Sequence, residues 1–216
     1  MAVKSEREYR DMTMEIRSAE TEDVEQEERK IVRGYASTFN EPYTLYENED
    51  WRFDEVVDAR AFDNTDMSDV IMQYDHEGRV FARMSNNTLT VTPDEKGLLI
   101  EADLGGTELG RQLFEEIRGG YTNKMSFGFT VDGEEVRDTK APDGKALTVR
   151  TITSVRKLYD VSAVSLPAND ATSISVRTLT DGEIERIQAE RLEAEKLETE
   201  RRRAIVTAKA MLSGKE

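Results

Sequence analysis

All four prolines and 11 of the 13 glycines of this 216-residue chain lie between residues 31 and 180. The tight reversals that a strand-rich fold requires are therefore concentrated in that stretch. Charge divides the chain the same way. Residues 1–30 hold 16 charged side chains and residues 181–216 hold 17, whereas the 150 residues between hold 42, close to the ordinary globular share. This partition predicts an ordered domain over 31–178, a charged N-terminal extension over 1–30 and a charged tail over 181–216.

The middle section reads mostly as strands. Ile31–Phe39 is rich in β-formers, and Thr88–Thr92 and Leu98–Leu104 flank a Pro-Asp-Glu-Lys-Gly turn that predicts a hairpin with Gly97 at positive φ. Lys124–Val131 and Ala146–Val155 are two further strands, joined by a polar turn around Pro142 and Gly144. One helix interrupts them over Thr107–Arg118. Leu109, Leu113, Phe114 and Ile117 share a face, Thr107 caps the start, and Gly119-Gly120 stop it. Many strands with few helices predict a mainly β domain, a barrel or sandwich with helical decoration. At the ends, Thr13–Arg17 alternates well enough to supply a first strand, Glu20–Glu28 reads as a solvated run, and Glu183–Arg203 reads as a charged helix without a continuous apolar stripe.

Composition removes several functional classes. The absence of Cys excludes thiol catalysis, disulfides and thiolate metal sites, and one His cannot form a multi-histidine zinc site. Glu134-Glu135 lacks calcium-loop spacing, and Gly105–Gly110 lacks the spacing of a dinucleotide loop. No cofactor is expected. A net charge of −15 disfavours nucleic-acid binding, and no apolar run reaches the roughly 20 residues that span a bilayer. The composition predicts a soluble, intracellular chain.

Three residues carry candidate chemistry. His76 ends an apolar run, Val70–Tyr74, where a strand should pass into a loop, and any imidazole-based catalysis must use it. Ser126 lies between Met125 and Phe127. If Phe127 and Phe129 face inward, Ser126 faces the other way with Gly128 leaving space beside it, although an ordinary solvent-facing serine fits the same pattern. Asp160 is an acid inside an otherwise apolar strand-like segment, where an unpaired carboxylate would be costly.

Gly34-Tyr-Ala-Ser-Thr-Phe39, Asp75-His76 with Arg79, Lys96-Gly-Leu98, Met125-Ser-Phe-Gly-Phe129, and Leu158-Tyr-Asp-Val-Ser162 with Pro167-Ala168 occur in an order that resembles the prohead maturation proteases of tailed bacteriophages, relatives of the herpesvirus capsid proteases. The resemblance covers roughly residues 12–178. It implies a closed β-barrel of about seven strands with surrounding helices. Ser126 would be the nucleophile, His76 its general base and Asp160 the acid orienting the imidazole. Arg156 and Lys157 are candidate contributors to an oxyanion site. Two positions depart from the family pattern: Asp75-His76-Glu77 stands where Asn-His-Asp is common, and Asp160 where Glu is common. The implied activity is serine endopeptidase cleavage of scaffold, or of the scaffold-like segment of the major capsid protein, and of the protease itself. That activity would take place inside the immature capsid in the host cytoplasm, with self-association of the protease. The competing reading is a catalytically inactive relative that serves as a scaffolding protein.

Overall fold

The computed structural model describes residues 7–12, 17–18 and 29–165, together with Glu193 and Lys196. The chain divides into two units, 1–178 and 179–216. In the second, Glu193 and Lys196 are helical and exposed. The rest of the expected tail helix, the Glu20–Glu28 run and all of the Thr13–Arg17 strand except Arg17 lie outside the described residues.

The first unit is mainly β. Its strands are β1 (Glu8–Met12), β2 (Arg17–Ser18), β3 (Ile31–Thr38), β4 (Tyr43–Glu47), β5 (Trp51–Val57), β6 (Ile71–Tyr74), β7 (Glu77–Arg83), β8 (Leu89–Pro93) and β9 (Gly97–Asp103). Helix α1 (Glu108–Arg118) follows, and then the long pair β10 (Lys124–Lys140) and β11 (Ala146–Val164). Hydrogen bonding orders β1-β10-β11-β5-β4 in one sheet, with β6 joining β11 and β7 joining β6, and orders β2-β3-β9-β8 in a second. Among the described residues these pairings trace two sheets rather than one closed ring, and α1 is the one α-helix where a few were expected.

Strand β11 organises the first sheet. Its early part, Ala146–Ile152, runs parallel to β5, and its late part, Asp160–Ala163, runs parallel to β6. On its other side it pairs antiparallel with β10, through register shifts between Gly128 and Glu134. Such bulges bend a strand and re-aim its side chains. They divide β10 into a buried part, Met125–Val131, and an exposed arm that ends in the turn at Gly144, where φ is 90°. Phe127 and Phe129 are fully buried and stack with centroids 4.6 Å apart, which leaves Ser126 and Gly128 on the opposite face.

Two local expectations need correction. Gly97 does not adopt a positive φ. Glycine is required there because a Cβ would lie 2.0 Å from the carbonyl oxygen of Ser37 on the neighbouring strand. In α1, Thr107 Oγ1 accepts the N–H of Gly110 at 3.0 Å as expected of a cap, but the buried face is Gly110, Leu113, Phe114 and Ile117, while Leu109 is exposed. The helix lies so close to the main chain at Leu104 that only Gly110 fits, since a Cβ there would meet the Leu104 oxygen at 2.2 Å. This contact puts Gly110 rather than Leu109 on the buried side, while Leu113, Phe114 and Ile117 keep the expected face.

Candidate active site

His76 is held by a two-residue hairpin between β6 and β7. Tyr74 pairs with Glu77, and both turn residues, Asp75 and His76, have positive φ, 48° and 59°. This is the pattern of a type I′ turn, whose twist matches that of the strands it joins. Asp75 pins the turn to the end of β11. Its amide donates to the Ala163 carbonyl at 3.0 Å, and its carboxylate accepts the Ser165 amide at 3.1 Å. Parallel pairing of β6 with β11 sets Ile71 beside Asp160 and Tyr74 beside Ala163, so the imidazole overhangs the part of β11 that carries Asp160.

Ser126 and Asp160 come from adjacent strands. In the β10–β11 register, Ser126 pairs with Ser162 and Gly128 with Asp160. A Cβ at Gly128 would lie 2.4 Å from Asp160 Oδ2, so the missing side chain is what admits the carboxylate. The structure thus brings all three predicted residues together. His76 Nδ1 is 2.6 Å from Asp160 Oδ1, and Nε2 is 2.5 Å from Ser126 Oγ. With Nδ1–H donating to the carboxylate, Nε2 presents its lone pair to the serine hydroxyl, as a general base requires.

The buried carboxylate is fully partnered. Asp160 Oδ1 also accepts the Ser162 hydroxyl at 2.8 Å, and Oδ2 accepts the Arg7 guanidinium. Ser126 and Asp160 are both 0% exposed, whereas the His76 side chain keeps 15% of its surface. Much of the cover comes from β1, which pairs with β10 so that Asp11 lies opposite Ser126. The Tyr9 ring packs edge-on against His76 at 4.5 Å, and the Ser126 hydroxyl donates to the Arg10 carbonyl oxygen at 3.0 Å.

Behind β1 lies a buried ionic cluster. Arg10 and Glu55 are both 0% exposed, and Arg10 meets the Glu55 carboxylate through Nε at 2.5 Å and Nη2 at 2.9 Å. Arg150 Nη1 donates to Glu55 at 2.7 Å and to Glu8 at 2.7 Å, and the Tyr43 hydroxyl donates to Glu55 at 2.5 Å. Burial alone would push the Glu8 carboxyl up, but the Arg10 and Arg150 guanidiniums outweigh it and bring it down to about 2. Glu55 is lowered against its own burial by the same two arginines, while burial and the Glu55 charge push the Tyr43 hydroxyl well above its ordinary range.

Arg156 and Lys157 do not join the site. They are engaged on the surface, Arg156 with Asp132 at 2.9 Å and Lys157 with Asp66 at 2.8 Å. Among the described residues, no group of three or more His, Asp or Glu is arranged to hold a metal ion. Arg7, Tyr9 and Arg10 were not legible as site residues, because a charged stretch gives no periodic signal of docking. Ser162 was legible in principle, since it lies two residues from Asp160 on the same face of a strand.

No curated protein and no solved structure matches the chain. A family model described as Caudovirus prohead serine protease matches residues 13–186, a span that contains His76, Ser126 and Asp160, carried in turn by the β6–β7 hairpin, β10 and β11. A match over most of the length, around one histidine set between a serine and a buried acid, means that this chain belongs to the Caudovirus prohead serine protease family.

Proposed function

We propose that this chain is an active serine endopeptidase of prohead maturation, with Ser126 as nucleophile, His76 as general base and Asp160 as the residue that orients the imidazole. The observation that carries the reading is the imidazole bridging Ser126 Oγ and Asp160 Oδ1 at 2.5 and 2.6 Å. A serine hydroxyl becomes an effective nucleophile when a base in hydrogen-bond contact removes its proton as it attacks. His76 Nε2 takes that proton, and Asp160 stabilises the imidazolium that results. The same proton then passes to the leaving amine, and water hydrolyses the ester by the reverse sequence.

The substrates in this reading are the scaffold or the scaffold-like segment of the major capsid protein, and the protease itself, inside the immature capsid. Self-association of the protease belongs to the same reading. So does closure of the two sheets into a herpesvirus-protease-like barrel of about seven strands. Its support is contact between the sheets at two places, β10 against β3 and β7 against β8 and β9. The second reading, an inactive scaffolding relative, is favoured by one observation, the complete burial of Ser126.

Co-expression with the candidate capsid protein, followed by mass mapping of new termini, separates the two. New capsid termini that disappear with Ser126→Ala support the endopeptidase. An intact capsid protein with both forms supports the scaffold.

A further inference from the structure

Residues 7–12, which carry β1, cover the candidate catalytic line at every member. Arg7 meets Asp160, Tyr9 packs on His76, and the Arg10 carbonyl oxygen lies 3.0 Å from Ser126 Oγ. Among the described residues β1 is an edge strand, joined to the sheet through β10, the strand that carries the proposed nucleophile. That is how an extended peptide adds to an exposed sheet edge, with main-chain bonds giving affinity and side-chain pockets giving selectivity. The family match begins at residue 13, so β1 lies outside the matched region. No substrate can reach Ser126 while this segment is in place, because the serine is 0% exposed.

The residue whose carbonyl meets the nucleophile is also the one with a built pocket. Arg10 is 0% exposed, its guanidinium lies 5.5 Å from the Phe129 ring centroid, and Glu55 receives it through two nitrogens. Tyr43 and Arg150 hold Glu55 from its other sides. Two-point contact between a planar guanidinium and a carboxylate is selective for arginine, and lysine reproduces only the charge. A neutral side chain in that place would leave Glu55 buried with part of its charge uncompensated.

We propose that Glu55 is the specificity-determining residue of this protease, selecting an arginine immediately before the bond that is cut, and that Arg10–Asp11 occupies the cleft as the first such bond. The proposal rests on the endopeptidase reading above. In the resting chain the Ser126 hydroxyl donates to the Arg10 oxygen; when that carbonyl turns its carbon towards Ser126, Oγ adds to the carbon as its proton passes to His76 Nε2. The Arg10–Asp11 C–N bond breaks, and the Asp11 nitrogen leaves with that proton as a free amine. Water then adds to the ester, giving its proton through His76 to Ser126 Oγ, and residues 1–10 depart with a carboxylate at Arg10. Their departure opens the cleft to other extended segments carrying arginine at the same position.

The test is an intact-mass time course on the full chain. The wild type is expected to lose residues 1–10, Ser126→Ala to lose nothing, and Arg10→Lys to cut at the same bond more slowly. Arg10→Gln is expected to stay intact there. A second arm guards against misfolding of that variant. Peptides with the sequence of residues 5–16, bearing arginine or glutamine at position 10, are offered to the wild type, and the arginine peptide is expected to be cut at least about 100-fold faster. Equal cutting of the two peptides, or a wild-type chain uncut after Arg10, overturns the proposal. If other bonds of the chain or of co-expressed capsid protein are cut in a Ser126-dependent way while Arg10–Asp11 survives, this inference alone fails. If nothing is cut in a Ser126-dependent way, the endopeptidase reading fails with it.

Discussion

His76 occupies a backbone region that few non-glycine residues adopt, with φ at 59°. Strain of this kind, on the order of 1 kcal/mol or more, persists where the surroundings fix it, and here Asp75 fixes it through Ala163 and Ser165. The turn gives the imidazole two partners on two different strands. Asp160 is a shorter acid than the glutamate common in the family pattern, yet its Oδ1 comes within 2.6 Å of Nδ1 because Gly128 leaves the carboxylate its space. If its role is to hold the tautomer, Asp160→Asn should lower kcat by about 10³–10⁴-fold and leave KM within a few-fold. Steady-state kinetics on a capsid-derived substrate reads both. A loss carried entirely by KM would instead make Asp160 a substrate-binding residue.

At the scale of elements, β1, β10 and β11 form one device: β10 carries Ser126, β11 carries Asp160, and β1 pairs with β10 and reaches β11 through Glu8 and Arg150. The docking of β1 is tied to pH through Glu8. Its carboxyl lies near 2 in the folded chain against an ordinary value of 4.5. A lowered folded value means that the stabilisation is complete above about pH 4.5 and is lost as pH falls towards 2, a swing on the order of 3 kcal/mol. Denaturation of the Ser126→Ala chain between pH 6 and 2 should therefore show a steep fall below 4.5, flattened in Glu8→Gln. An unchanged slope in that variant would show that Glu8 does not couple docking to protonation. The elements were legible in the sequence to very different degrees. The alternation around Ser126 and the capped helix were plain, because hydrophobic periodicity and end signals are local. The parallel pairings of β11 with β5 and β6 were not, since they join residues about 90 positions apart, and its continuation to Val164 passes through Arg156 and Lys157. Least legible was β1. Its buried arginine finds Glu55 only in three dimensions, and nothing in Glu-Tyr-Arg-Asp-Met signals burial.

For the whole molecule, the proposed self-processing bears on the charge-dense ends of the chain. Residues 1–30 and 181–216 hold 33 charged side chains, and chain termini are where proteolytic cleavage concentrates. Active protein held at high concentration, as in a capsid interior, should lose one or both ends within these ranges while Ser126→Ala stays whole. Identical trimming of both forms would point to a contaminating protease. The proposed function rests on one claim, that Ser126 and His76, 2.5 Å apart, act as a single catalytic unit. The most direct test is a double-mutant cycle of Ser126→Ala and His76→Ala, with kcat/KM read on capsid protein and folding checked by circular dichroism. The account predicts that each single variant folds and loses nearly all activity, and that the double variant is scarcely worse than either. Full activity in either single variant, or losses that multiply in the double, would contradict it.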